Sequence, residues 1–385
     1  MAGYLQEVQI QQGETGTALP QETCTYYTVT AGSVTVNPVA TDTVYRNDNG
    51  TGAETTSYNY TWFSGTVREQ SVTVSLPVIS SGQNGPGSAD VGTVFFDSNG
   101  KPIWTKDADG YLTYTAYDTA TGAIIETINN DVNTGTTGDY SALPTGWSTS
   151  SGLNLVTTDQ VDALGRTTQV TNPNGNVTYT VYDDVNKEVR VYQGWTGSTA
   201  TGPTLVQRDD AANGYTEMFT MSATPSVTSG APNGTEAISN LQSLERDYVN
   251  NAGQVVTVDR YFDPSGLSYT TGAMGTSGTN FYETHYAYDH MGTLSKVVSP
   301  TGTITRTVHD GQGRTVSECV GTNDTPSSGW WSPTNAAGMT EVASYQYDSD
   351  GNLAQAINYP NDGSANRVTD YLSRSASAPH SASLQ

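Results

Sequence analysis

The sequence predicts an all-β protein assembled from antiparallel β-hairpin repeats. Three observations lead there: a spacing of aspartate and glycine that recurs along the chain, turn-forming chemistry at both ends of that spacing, and side-chain alternation between the turns. A recurring period of this length marks a repeat architecture, in which each period is one supersecondary unit.

The repeat is clearest from Asp162. Gly165 follows at three residues, Asn172 at ten, Gly175 at thirteen, Thr178 at sixteen, Thr180 at eighteen, Tyr182 at twenty and Asp183 at twenty-one. Asp97 opens the same ruler with Gly100, Asp107, Gly110, Thr113, Thr115, Tyr117 and Asp118. Asp289 opens it again with Gly292, Ser299, Gly302, Thr305, Thr307, His309 and Asp310. The first turn of each module is DSNG, DALG or DHMG, and the second is DADG, NPNG or SPTG. Asp, Asn or Ser at the first turn position bonds nearby backbone, and Gly at the fourth accepts a positive φ. Pro173 and Pro300 preset φ at the second position.

Six or seven residues lie between the turns, a common strand length. In the second strand Leu112, Tyr114 and Ala116 share a face, as do Val177, Tyr179 and Val181, and Ile304, Arg306 and Val308. Threonines on the other face suit cross-strand contacts on a wetter surface. Arg306 is the odd member of its row and is read as snorkelling or at an edge. Asp263–Gly266, Asp310–Gly313 and Asp348–Gly351 repeat the turn pattern. Gly122 stands one place late after Asp118, and after Asp183 the glycine position is held by Asn186, a residue that tolerates positive φ.

Composition agrees. The 385 residues include 40 Gly and 24 Tyr but only 6 Phe, favouring turns and half-solvated strands over a thick dry core. A formal charge of −23 repels nucleic acid and anionic membrane surfaces. No stretch is apolar for long enough to span a bilayer as a helix, so neither nucleic acid nor membrane insertion is expected. The opening MAGYLQEVQI has no secretory leader pattern, and the chain is expected to be a piece of something longer. Cys24 and Cys319 are too few for a disulfide framework or a cysteine zinc site.

At this point the phrase aromatic–Asp–two residues–Gly resembles the YD repeat of Rhs proteins, teneurins and insecticidal toxin complexes. VDALGRTTQVTNPNGNVTYTVYD carries the resemblance most fully, followed by YDHMGTLSKVVSPTGTITRTVHDGQGRTVSE and YDSDGNLAQAIN. The resemblance implies a curved sheet ribbon, here an arc of a hollow shell, that is secreted or at the cell surface. It also implies association with carbohydrate and, in some members, an enclosed toxic domain. DPSGL at Asp263 is similar to the tetrad at which such shells cleave themselves, yet it sits in phase with the turns and lacks the accompanying signature. The turn reading is preferred. Residues 94–358 are assigned to repeats, 1–93 to a β region without the ruler, and 359–385 to a disordered polar tail.

Insertions interrupt the ruler at about 129–160, 193–247, 267–284 and 320–344, and their polar, turn-rich composition predicts less order than the repeats. Three carry tryptophans, Trp147, Trp195, and Trp330 with Trp331. These are candidate glycan contacts, set against an alternative in which each anchors its own loop. No HExxH motif, nucleophile elbow or phosphate loop occurs, and His309 stands in the aromatic place before a repeat aspartate, where packing or capping is expected. Asp107 with Asp109, and Asp348 with Asp350, offer carboxylates for Ca²⁺ but not the ligand count of a calcium loop. No cofactor is expected. The functional expectation is a noncatalytic surface-associated scaffold, part of a larger repeat protein, presenting loops to glycans or a partner protein. The alternative is a piece of a toxin-encapsulating shell.

Overall fold

A computed structural model describes residues 3–129, 143–147, 153–326, 328–329, 331–333, 335 and 338–371. Apart from one 3-10 turn at Ser81–Gln83, the regular structure of these residues is β. Twenty-four strands belong to one antiparallel sheet, which does not close on itself among the described residues.

The chain divides into two compact units, residues 1–178 and 179–385, with the division at the start of the strand Val177–Asp183. It coincides with neither end of the repeat ruler. In the first unit each strand pairs with the next in chain order. The series runs Glu7–Ile10, Leu19–Tyr26, Val39–Asn47, Thr51–Trp62, Glu69–Ser75, Val91–Phe96, Pro102–Lys106, Leu112–Tyr117, Ile124–Asn129, Leu155–Val161 and Thr167–Thr171. A small hairpin, Val29–Ala31 with Val34–Val36, branches from it.

The second unit repeats this order from Val177–Asp183 through Glu188–Tyr192, Thr204–Asp210, Tyr215–Met221, Leu241–Val249, Val255–Tyr261 and Phe281–Tyr288. It continues through Leu294–Val298, Ile304–His309, Thr315–Asn323, Gly338–Tyr347, Leu353–Asn358 and Arg367–Asp370. The last strand lies within the segment assigned to a disordered tail. Residues 372–385 of that tail lie outside the described residues.

The turns explain the ruler. Gly100, Gly110, Gly165, Gly175, Gly292 and Gly302 have φ of +83°, +90°, +80°, +78°, +81° and +82°, where a side chain would be strained. At Asp97 one carboxylate oxygen, Oδ1, accepts the amides of Asn99 (2.8 Å) and Lys101 (2.9 Å). Asp162, Asn172, Asp289, Asp310 and Asp348 make the same two bonds to the residues two and four places on. The tyrosine of the ruler has a separate task. The hydroxyls of Tyr117, Tyr288 and Tyr347 donate to the carbonyls of Pro102 (2.8 Å), Val255 (2.8 Å) and Thr315 (2.9 Å), each the first residue of the preceding strand. The residue after the turn glycine adds a cation over the ring, Lys101 on Tyr117 at 4.7 Å and Arg314 on Tyr347 at 4.3 Å. His309 reaches back in the same way, its Nδ1 lying 3.2 Å from Asp289 Oδ2.

Two turns differ from the sequence reading. After Asp183 the left-handed residue is Lys187 (φ +49°) and not Asn186, whose amide and side chain instead bond to the Asp183 carboxylate. Asp183 therefore belongs with Asp118–Gly122 and Asp210–Gly214, turns one residue longer than the main class. Asp263–Gly266 is not a hairpin turn. The amide of Leu267 bonds to the carbonyl of Pro264, and residues 262–280 separate two neighbouring strands.

The insertions also differ. The stretch 193–247 contains two full strands of the large sheet, Thr204–Asp210 and Tyr215–Met221, and most of a third, Leu241–Val249, and the ruler is hidden because the hairpin of the first two turns at Asp210–Gly214. Its remainder, and residues 262–280, pack back on the sheet as straps. Together they enclose a core of Val206, Phe219, Met221, Leu241, Leu244, Tyr261 and Met274. A smaller core in the first unit gathers Trp104, Leu112, Tyr114 and Ile128. Each such side chain contributes about 1.5–3 kcal/mol by leaving water.

Candidate functional site

The most unusual chemistry lies beneath the straps of the second unit. Glu188, Arg208, Glu217, Arg246 and Asp259 stand directly opposite one another on five neighbouring strands, so charge alternates in sign across the sheet. Glu188 opens its strand, and the other four occupy interior strand places on the apolar face. Glu217 falls between Tyr215 and Phe219, and Arg246 between Leu244 and Tyr248. The next row along consists of Val206, Phe219, Leu244, Tyr261 and Phe281 in register.

Burying such groups unpaired would cost several kcal/mol per charge, and here almost every one is paired. Arg208 Nη2 lies 2.5 Å from Glu217 Oε1, and Arg246 Nε lies 3.0 Å from Glu217 Oε2. Arg190 Nε meets Glu188 Oε1 at 2.5 Å, and its Nη1 lies 3.1 Å from Glu236 Oε1. The straps supply the remaining partners. Arg246 donates to the carbonyls of Gly272 (2.7 Å) and Thr270 (2.5 Å), and the Tyr269 hydroxyl donates to Glu217. The hydroxyls of Tyr215 and Tyr261 reach the carbonyls of Thr271 (2.8 Å) and Met274 (2.7 Å), and that of Tyr192 reaches Glu236 (2.6 Å). The ladder thus clamps both straps to the sheet.

Burial pushes the Glu217 carboxyl above the usual carboxylate range, against the pull of Arg208 and Arg246. At Glu236 burial acts in the same direction but is outweighed by Tyr192, backbone amides and Arg190, and the carboxyl is held low. Tyr215 is pushed up to about 12, first by burial and then by Glu217. Asp259 ends the ladder without a clamp. Its Oδ1 is buried with no hydrogen-bond partner, and burial, then the neighbouring Glu283, push its carboxyl up to about 6.

A cleft of about 840 Å³ opens over the ladder, floored by Glu188, Arg190, Arg208 and Glu236 and rimmed by Lys187 and Asp210. A second cleft, about 740 Å³, lies between His290, His309, Arg306 and Trp331. There Arg306, read from sequence as snorkelling or at an edge, is mostly buried. It pairs with Asp324 (Nε to Oδ2, 2.8 Å) and stacks on Trp331 at 4.7 Å.

The candidate glycan contacts scatter. Trp195 is buried, donates to the carbonyl of Gly230 (2.8 Å) and packs edge-on to Tyr179 and Tyr192. It is a loop anchor, since an indole enclosed on both sides cannot stack on a sugar. Trp147 is half-buried against Phe95 at 5.3 Å, and Trp331 is half-buried under Arg306. Trp330 lies outside the described residues. Of the carboxylates proposed for Ca²⁺, Asp107 Oδ1 accepts the Tyr111 amide and Asp348 Oδ1 accepts two amides of its own turn. The two cysteines are free, and Glu22, Cys24 and Asp42 lie together in the first unit.

The ladder escaped sequence reading, although it left a signal. EVRVY, TEMFT and LERDY each place a charge in step with apolar or aromatic neighbours two residues away, on segments of strand length.

No protein-family model matches the chain, and no match was found among curated proteins. Among solved structures, the chain is similar to a component of the Photorhabdus luminescens Tc holotoxin pore, with TM-score 0.45 and 14% identity over 94% of this chain and 17% of that one. It is also similar to a chain of a TcdB2–TccC3–Cdc42 complex, with TM-score 0.42 and 14% identity over 92% and 18%. A TcdB2–TccC3 structure aligns with TM-score 0.37 and 12% identity over 95% and 20%. The chain spans about a fifth of the length of these proteins.

Proposed function

We propose that this chain is a noncatalytic length of wall in a larger, surface-exposed or secreted shell of hairpin repeats, of the kind that encloses a toxic polypeptide. Its principal partners are the neighbouring strands of that shell. The observation that carries this reading is the strand order. Strands pair one after another along the chain, and the outermost, Glu7–Ile10 and Arg367–Asp370, pair on one side only among the described residues. All four residues of each are exposed. An unpaired strand edge is a template for another strand, which a wall uses and a closed domain conceals. The noncatalytic part of the reading draws on the ladder, where Glu188, Glu217 and Glu236 each have an arginine partner and no free acid–base pair remains among them.

The test is light scattering on the isolated chain from low to physiological salt. Self-association is expected, and it should grow as screening shortens the repulsion between acidic surfaces to a range of about 8 Å. Glu7→Pro with Val368→Pro, at positions whose amides face away from the paired strand, removes one donor from each edge and should suppress it. A compact monomer at high protein concentration across the whole salt range would overturn the wall.

A further inference from the structure

Six asparagines are followed by glycine, the pair in which a backbone nitrogen most readily attacks the neighbouring side-chain amide: Asn49, Asn84, Asn99, Asn174, Asn213 and Asn233. With no Cβ on the glycine, its nitrogen is open to that approach. In five of the six pairs the nitrogen is already committed. The amides of Gly50, Gly85, Gly100, Gly175 and Gly214 donate to the carbonyls of Asn47 (3.0 Å), Ser80 (3.0 Å), Asp97 (3.0 Å), Asn172 (2.8 Å) and Asp210 (2.9 Å). The amide of Gly234 has no acceptor among the described residues, and this glycine lies half-buried on the wall of the open cleft.

The side chain of Asn233 is set for the same reaction. Its Oδ1 accepts both the amide (3.0 Å) and the hydroxyl (2.8 Å) of Thr235, and its Nδ2 donates to the Thr228 hydroxyl (3.0 Å). When the Gly234 nitrogen gives its proton to solvent hydroxide and bonds to Cγ of Asn233, negative charge gathers on Oδ1, where the two Thr235 donors already point. The Cγ–Nδ2 bond then breaks, the leaving nitrogen takes a proton from water and departs as ammonia, and a cyclic succinimide remains. Water opens that ring at either carbonyl to give aspartate or isoaspartate. Asn49 is an internal control, because it begins the same Asn-Gly-Thr sequence and its Oδ1 accepts the same two bonds from Thr51 (3.1 and 2.6 Å). There the Gly50 amide is tied, and its bond must be given up before the nitrogen can attack. We infer that Asn233 is a self-modification site, deamidated by the free amide of Gly234 with Thr235 holding the oxyanion. The product lies in the strap whose Glu236 holds Arg190 and Tyr192. The inference stands independently of the wall reading.

The experiment is peptide mapping by mass spectrometry on the folded full chain, aged at mildly alkaline pH, with the acid products followed at all six asparagines. Asn233 is expected to convert fastest, about tenfold or more ahead of Asn49. In urea the two Asn-Gly-Thr sites should convert at similar rates, because the difference belongs to the fold. Thr235 is exposed, so Thr235→Val should leave the melting temperature unchanged while slowing Asn233 severalfold, and Thr235→Ser should restore the rate. Conversion of Asn49 as fast as Asn233 in the folded chain would overturn the inference. So would a lead for Asn233 that survives unfolding, or a rate at Asn233 that Thr235→Val leaves untouched.

Discussion

The N-terminal strands and the strapped centre of the second unit hold a sheet together by opposite means. Among the described residues before Asp97, only Ser71 is buried. That region relies on rows of hydroxyls facing across strands, Thr25 with Thr41 (2.6 Å), Thr43 with Thr55 (2.8 Å), Thr61 with Ser71 (2.7 Å) and Thr73 with Thr93 (3.0 Å). Each pair adds about 0.2–1 kcal/mol, and no single one matters greatly. Between Glu188 and Met274 the sheet instead folds its own insertions over one face and buries an apolar row beside a row of charges. Stability there is concentrated, and so is vulnerability. A sheet needs no second layer if its pairs are many, and once it has a cover the cover must answer every buried charge.

The sharpest way to break this contrast is Glu217→Ala. It strands Arg208 and Arg246 in the interior and frees Tyr269, and the expected loss is about 3–5 kcal/mol. Urea unfolding followed by tryptophan fluorescence measures it, and a loss below ~1 kcal/mol would mean that the ladder is decorative. Asp259→Asn works in the opposite direction. A carboxyl with a folded value of about 6, against about 3.9 when unfolded, favours the fold when protonated. That contribution is complete below about pH 4 and lost as pH rises through 6. The asparagine variant should therefore be more stable than the parent by on the order of 1–2 kcal/mol at pH 7.5, with the difference closing by pH 4. Melting curves at the two pH values decide it. The smallest effect belongs to the open strands, where Thr43→Val should shift stability by about 0.5 kcal/mol or less. A cost comparable to that of Glu217→Ala would erase the distinction between the two regions.

What the sequence disclosed and what it hid follow the same division. Asp97, Asp162 and Asp289 were legible because an aspartate that bonds amides two and four residues on, with a left-handed glycine between them, is a local object. The ladder was not, because Glu188, Arg208, Glu217, Arg246 and Asp259 become neighbours only once five strands are in register. Arg306 illustrates the loss on one residue. Judged within its strand it looked misplaced, whereas its partners Asp324 and Trp331 arrive from a later loop. Lys187 marks the limit of local reading as well, since an extra turn residue moved the left-handed position past the asparagine that would otherwise hold it. The clefts required the straps, and nothing in a polar insertion announces which face it will cover.

The tyrosine that reaches back to the start of the preceding strand has an evolutionary consequence. Tyr117, Tyr288 and Tyr347 each read the hairpin before them and nothing further away. Interactions confined to nearest neighbours make a chain editable. A module can be duplicated, deleted or exchanged by recombination, and the newcomer docks through the same hydroxyl to the same carbonyl. Length then becomes a heritable quantity that can drift without renegotiating the rest of the molecule. The strapped stretch is exempt from that freedom, because Glu236 and Tyr269 are committed to partners several strands apart, and a lineage that shuffles its repeats is expected to inherit this stretch whole.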